Sequence, residues 1–285
     1  MMTPTEKRKR FRAVLAGPRC VSPATVYDAL SARIAEAVGY EFGILSGSVC
    51  SATMLAAPDL AVHTLTEFAH QVRSVTRFSN LSVFVDADQG FGNALNVMRT
   101  VEELEHAGLS GLAIEDLVMP ARVGSTHDEL ITIDEMRGKL RAALAARQDS
   151  SLVITARTAS VKIEKIENVV ARVKAYAATG VDAVFITGLK QLDHLDAICA
   201  AVRIPVILGT APSLTRAEVE ARGVRFCLQG HGAVAAAAKA LHETYAHLYA
   251  GGAPADLKPR IATPEQMERW MGGENYRKWQ EEYLR

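Results

Sequence analysis

Ser82-Val83-Phe84-Val85-Asp86-Ala87-Asp88-Gln89-Gly90-Phe91-Gly92-Asn93 is the stretch on which the fold turns. It opens as a continuous apolar run, the pattern of a parallel strand covered on both faces. It ends in two carboxylates spaced i, i+2, which point to the same side of a sheet. Gly90 and Gly92 follow, and they let the backbone come close to a ligand. A strand ending in paired acids and a glycine turn suits magnesium. That ion takes hard oxygen ligands and keeps waters that a substrate can displace. The same octet, Asp86 to Asn93, also reads as solvated acids beside a flexible turn.

Apolar runs of the same kind recur on both sides of it. They lie at Phe42–Leu45, Gly111–Ile114, Ser151–Ile154, Asp182–Ile186, Ile204–Leu208 and Val224–Leu228. A weaker first strand, interrupted by Pro23, lies at Cys20–Thr25. Three- and four-residue apolar spacing predicts helices over Ser31–Val38, Leu65–Phe78, Ala94–Ala107, Ile133–Ala146, Ile166–Thr179, Leu192–Val202 and Ala233–Ala250. Gly39, Gly108 and Gly180 mark the joins, as helix C-caps do. Eight strands alternating with about eight helices predict an α/β protein, a (β/α)8 TIM-type barrel over residues 1–250. A doubly wound open sheet is the alternative, weakened because no GxGxxG follows the first strand. In a barrel the chemistry sits at the C-terminal strand ends, where the octet falls.

Residues 251–285 break the rhythm. Gly251–Pro254 reads as a linker, and Pro264–Met271 and Asn275–Leu284 read as amphipathic helices carrying Trp270, Tyr276, Trp279 and Tyr283. Side chains that large predict a tail packed on the barrel or on a neighbouring subunit.

The chain has 285 residues, 49% of them hydrophobic, enough for one large core. Its 32 basic and 32 acidic residues balance, which argues against nucleic acid as a partner. The basic run Glu6–Arg10 reads as a solvated helix face rather than a targeting signal, since no apolar signal core follows. No apolar stretch of about eighteen residues occurs, so no membrane span is expected. Cys20, Cys50, Cys199 and Cys227 are far apart without CxxC spacing, which suits reduced thiols of a cytoplasmic protein.

Polar residues at the other predicted strand ends are the remaining candidates. Ser46-Gly47-Ser48 offers small groups whose backbone donors can hold a carboxylate or carbonyl oxygen; it also reads as a plain tight turn. Glu115-Asp116 offers an acid to a metal, or a partner to Arg122. Arg157 can present its planar fork to a substrate carboxylate, or pair with Glu115 or Asp116. His231, between glycines, suits substrate binding or proton transfer. Asp59 faces the mouth or caps a helix. The other histidines, His63 among them, read as surface or packing residues.

Taken together, the chain resembles the isocitrate lyase and phosphoenolpyruvate mutase superfamily over almost its whole length, from Tyr27–Ala32 to the C-terminal helices. The motifs that carry the resemblance are Ser46-Gly47-Ser48, the octet, and Ile114-Glu115-Asp116, in that order. Gly92–Thr100 and Lys139–Leu144 are similar to the bacterial oxaloacetate decarboxylases of that superfamily. The resemblance implies a barrel whose last helix is swapped between neighbours, in a homotetramer built as a dimer of dimers. It also implies a 2-oxo acid substrate held with magnesium, or manganese in its place. By matching positions, Asp86 would lie nearest the metal, with Asp59, Asp88 and Glu115 holding it largely through water. Ser46, Gly47, Ser48, Arg157 and His231 would bind substrate, and Asp86, Arg157 and His231 would be the catalytic residues.

Two departures bear on the reaction. The superfamily's lyases carry a lid motif with a catalytic cysteine, whereas Pro120–His127 contains none. The decarboxylases place a tyrosine after strand seven, whereas this chain has Gly209-Thr210-Ala211. The expected activity is decarboxylation of oxaloacetate, or a close 2-oxo diacid, to pyruvate and carbon dioxide through an enolate. The alternatives are a carbon–carbon lyase acting on a substituted malate or a 2-methylisocitrate-like compound, and a phosphonopyruvate-type enzyme.

Overall fold

The computed structural model describes residues 1–285. Eight parallel strands run in sequence order: β1 (Ala24–Thr25), β2 (Phe42–Ser46), β3 (Ser82–Asp86), β4 (Gly111–Glu115), β5 (Val153–Thr158), β6 (Ala183–Ile186), β7 (Val206–Leu208) and β8 (Val224–Cys227). A doubly wound sheet would reverse its order at a switch point. Here each strand pairs with the next, and a parallel bridge between Val21 and Phe226 ties the segment before β1 to β8. The curled sheet is therefore of the TIM type.

Twelve α-helices accompany it: α1 (Pro4–Ala16), α2 (Ala29–Val38), α3 (Gly47–Leu55), α4 (Leu65–Thr76), α5 (Ala94–His106), α6 (Ile133–Ala146), α7 (Ile166–Ala177), α8 (Leu192–Ala201), α9 (Arg216–Ala221), α10 (Gly232–Tyr249), α11 (Pro264–Met271) and α12 (Gly273–Tyr283). The predicted helices are all present, α1 carries the basic run read as a helix face, and α3 and α9 are additional. The main core lies between the outer faces of β2–β5 and helices α2 to α7, with Val83, Val85, Leu112 and Ile154 from the strands. A second cluster joins β6, β7 and β8 to α7 and α8.

The basic run at the N-terminus differs from expectation. Lys7 and Arg8 are buried rather than solvated. Helix α1 closes the end of the barrel opposite the mouth. Phe11 enters the barrel among Phe84, stacked at 5.6 Å, and Phe226, edge-on at 5.2 Å. Its cations then serve backbone carbonyls that precede the strands. Arg8 donates to Leu109 O, Arg10 to Asn80 O and Glu41 O, and Arg12 to Ser151 O and Leu152 O. Lys7 Nζ donates to Thr76 O and Ser79 O at 2.7 and 2.6 Å, near the C-terminal end of α4, where a cation is favoured.

Candidate active site

Strand register gathers the candidate residues at the opposite end of the barrel. Ser46 is the neighbour of Asp86 across β2 and β3, and Glu115 is the neighbour of Arg157 across β4 and β5. Above them opens a cavity of about 570 Å³. Its floor includes Ser46, Asp86, Asp88, Glu115, Arg157 and His231; Ser48 and Asp59 lie on its wall.

Arg157 sits at the centre. Its Nη1 donates to Asp86 Oδ2 at 2.6 Å and lies 2.9 Å from Glu115 Oε2, while its Nε has no partner. The guanidinium thus forms the ion pair with Glu115 that the sequence left open, and it also lines the cavity. Burial opposes its charge, but the carboxylates of Asp86 and Glu115 outweigh burial and hold it protonated. One cation does not neutralise the acids around it. Burial, then the charge of Asp86, pushes the Asp88 carboxyl well above the usual carboxylate range, against the pull of Arg157. Burial pushes Glu115 the same way, with Arg157 opposing. The adjoining Asp116 takes no part. Alternation turns it away from the mouth, where it accepts from Tyr176 Oη at 2.7 Å and Thr158 Oγ1 at 2.9 Å.

Asp88 is held by an unusual backbone. Its φ is +47°, in the left-handed region, and its carbonyl accepts from Glu115 N at 2.7 Å. Its carboxylate lies where a side chain on residue 47 would stand, so Gly47 is needed for the close approach. Gly47 itself does not line the cavity. His63, which the sequence reading set aside, is buried between Phe68 and Phe91, with Nε2 3.5 Å from Asp88 Oδ2 and Nδ1 3.1 Å from Ser51 Oγ. Burial pulls its imidazole below its ordinary value, with Glu67 and Asp59 opposing. Asp59 is exposed on the cavity wall and caps no helix; Thr64 caps α4.

Ser46, Gly47 and Ser48 form the start of α3 rather than a tight turn. Ser46 is its N-cap, accepting from Val49 N, and the helix N-terminus directs free backbone N–H groups and positive potential toward this end of the barrel. Ser46 Oγ lies 2.8 Å from Ser48 Oγ and 3.1 Å from His231 Nε2. His231 Nδ1 lies 3.0 Å from Thr25 Oγ1, a residue that the sequence reading did not single out. Burial pulls His231 below its ordinary value, with Asp86 and Asp59 opposing.

Residues 117–130, which include the segment expected to be the lid, line the cavity. A bridge between Leu117 and Leu130 closes the base of this segment, and Gln89 Nε2 of the octet donates to Met119 O at 3.1 Å. Arg122 faces Glu129 at 3.5 Å, not Glu115 or Asp116.

The donor set fits a small hard cation. Asp86 Oδ1 and Glu115 Oε1 are buried without a hydrogen-bond partner, and Asp88 and Asp59 add further carboxyl oxygens to the same cavity. No three His, Cys, Asp or Glu side chains converge tightly enough to cage an ion directly. Magnesium, which binds through one or two carboxylates and keeps several waters, matches both facts.

Comparison with known proteins agrees with this geometry. Residues 11–249 match the family described as phosphoenolpyruvate phosphomutase. An oxaloacetate decarboxylase of Bradyrhizobium diazoefficiens is 46% identical over 267 residues, 93% of this chain and 92% of that protein. The crystal structure of a phosphonopyruvate hydrolase complexed with oxalate and Mg2+ superposes with a TM-score of 0.88 at 29% identity, covering 100% of both chains. An oxaloacetate acetylhydrolase in complex with 3,3-difluorooxalacetate gives 0.86 at 26% identity, covering 98% of each. The chain belongs to the phosphoenolpyruvate phosphomutase family.

Proposed function

We propose that this enzyme is a magnesium-dependent carboxy-lyase that converts oxaloacetate, or a close 2-oxo diacid, to pyruvate and carbon dioxide. The observation that carries the reading is the set of buried acids around Arg157 at the mouth, with Asp86 Oδ1 and Glu115 Oε1 unpartnered. The names of its relatives and the cysteine-free lid favour decarboxylation among the reactions of the family.

Asp86 would hold magnesium most directly, with Asp88, Glu115 and Asp59 acting largely through water. Bound there, the ion would supply Lewis-acid stabilisation of the negative charge that develops as carbon dioxide leaves. The protein's own groups orient the diacid. The free Nε of Arg157 and the N-terminal amides of α3 suit its carboxylate and 2-oxo oxygens. Residues 117–130 line the same cavity and would shield the reacting carbon from water. No base is needed to begin, because the departing carboxylate is already ionised and the electron pair of its bond to carbon passes to the enolate. A proton is needed only at the end, at the methylene carbon, and His231 is placed to govern it.

Pyruvate release from oxaloacetate, measured with magnesium and corrected for the free-metal background, tests the reading. Full activity in Asp86→Ala would remove the metal assignment. Product analysis with 2-oxo diacids, substituted malates and phosphonopyruvate separates decarboxylation from the alternatives.

The assembly we propose is a homotetramer, a dimer of dimers, in which the last barrel helix, α10, is exchanged between neighbours. Helix α10 has no buried residue and exposes Leu241, Tyr245 and Tyr249. An apolar cavity of about 490 Å³ lies between α2 and residues 229–233, while the tail helix α11 packs on α2 of its own barrel. The compartment we propose is the cytoplasm, where four free thiols stay reduced. No helix is long and apolar enough to cross a membrane.

A further inference from the structure

The hydrogen bonds around His231 have a direction, and it can be worked out from one end. Thr25 Oγ1 lies 3.0 Å from the Gly230 carbonyl oxygen, which can only accept, so the single Thr25 hydroxyl proton is committed there. The same oxygen lies 3.0 Å from His231 Nδ1. With its proton already placed, Thr25 can only accept from the ring. Nδ1 therefore carries the hydrogen, a tautomer assigned from the network. Nε2 is left with a lone pair, and its neighbour at 3.1 Å is Ser46 Oγ. Ser46 must then donate to Nε2, and Ser48, 2.8 Å away, must donate to Ser46. Every hydroxyl gives one proton and every acceptor is matched. Thr25 and Ser46 are both buried, and Ser46 reaches the cavity floor beside Ser48.

We propose that Thr25 is a positioning residue that fixes His231 in its Nδ1–H form, and that Ser46 and Ser48 carry a proton between Nε2 and the cavity. Because Nδ1–H is held by Thr25, the proton that comes and goes is the one on Nε2. With neutral imidazole the chain runs inward, and Ser48 presents only lone pairs to the cavity. With imidazolium the two serine hydroxyls reverse, and Ser48 presents an O–H. The transfer balances. Nε2–H passes to Ser46 as Ser46 passes its proton to Ser48. Ser48 then passes its own to the carbanionic methylene carbon left by decarboxylation, forming the methyl group of pyruvate. His231 returns to neutral Nδ1–H imidazole, and a solvent proton entering at Ser48 restores the imidazolium. The destination of the proton rests on the proposed decarboxylation. The role of Thr25 in fixing the tautomer does not.

The test uses the full chain labelled with 15N-histidine, with the His231 signals assigned by their loss in His231→Gln. Wild type and Thr25→Ser should show Nδ1–H imidazole, whereas Thr25→Val, nearly the same size without the hydroxyl, should lose that form. In pyruvate release Thr25→Val should lower kcat on the order of tenfold with little change in KM, and Thr25→Ser should restore it. Ser48→Ala should lower kcat and leave the tautomer alone. An Nε2–H ring in wild type, or an unchanged tautomer in Thr25→Val, overturns the inference about Thr25 whatever the substrate. An unchanged kcat in Ser48→Ala overturns the relay. A wild-type enzyme inert toward oxaloacetate overturns the decarboxylation reading, and with it the destination of the proton.

Discussion

Replacing Gly47 with alanine displaces one carboxylate while leaving every candidate ligand in the sequence. A Cβ on residue 47 would stand 2.3 Å from Asp88 Oδ1, 2.4 Å from Oδ2 and 2.6 Å from Cγ. Ordinary contact begins at about 3.4 Å, so the Asp88 carboxylate has to retreat by roughly 1 Å. The Asp88 backbone is pinned by Glu115 N, so the side chain must do the moving. A displacement of that size in a positioned group costs on the order of 10²-fold in rate, about 2.7 kcal/mol of transition-state stabilisation. Folding should not suffer comparably. Gly47 opens a helix, where alanine is favoured over glycine by up to about 1 kcal/mol. The assay is pyruvate release across a magnesium titration, run beside thermal unfolding. The expected outcome is a Tm within a few degrees of wild type, kcat/KM down about 10²-fold and a higher magnesium requirement. Unchanged kinetics with an unchanged magnesium requirement would refute the placement of Asp88 in the site.

Three other outcomes follow from the same geometry. Arg157→Lys keeps the charge but loses the planar fork, so an ammonium held between Asp86 and Glu115 leaves no second nitrogen where Nε now stands; kcat/KM should fall on the order of 10²-fold, and near wild-type kinetics would deny Arg157 its role. Phe11→Ala should cost about 3–5 kcal/mol in urea unfolding, because a fully buried ring leaves the aromatic cluster inside the barrel; a loss below about 1 kcal/mol would mean that α1 is not the closure described. Acid stability should depend on Asp149. Burial alone would raise its pKa, but hydrogen bonds from Ser151, Arg8 and Thr5 outweigh burial and hold it below the usual range. A folded-state pKa that is depressed gives stability present above about pH 4 and lost as pH falls below it. Urea midpoints should therefore drop less steeply below about pH 4 in Asp149→Asn than in wild type, and equal slopes would contradict the assignment.

The strands were legible because burial on both faces writes itself into sequence as apolar runs. β2, β3 and β4 each extend one residue past the predicted run, onto Ser46, Asp86 and Glu115, the polar residues that face the mouth. Periodicity could not find α3, which begins at a glycine and has almost no apolar face. It also misjudged α1. Charge is usually a mark of exposure, and here the charged ends reach carbonyls that come together only when four strands assemble. The site was legible where it is carried by strand ends. Thr25 and His63 were not, since each acquires meaning from one tertiary approach: Thr25 from a residue 206 positions later, and His63 from a carboxylate placed by a left-handed backbone.

Helix α1 is synthesised before the strands it closes, yet it depends on the middle of the chain. Arg12 finds its carbonyls 139 and 140 residues downstream, and the partners of Arg8 and Arg10 begin with strands two to four. During translation the helix can wind alone, because Thr3 and Glu6 form a capping box at its start. The guanidinium of Arg12 must remain in water until the segment that opens β5 has emerged. Closing the bottom of the barrel is thus a step that α1 completes only after β5 is made, and deleting residues 4–16 would remove a part that is made before the barrel and set after it.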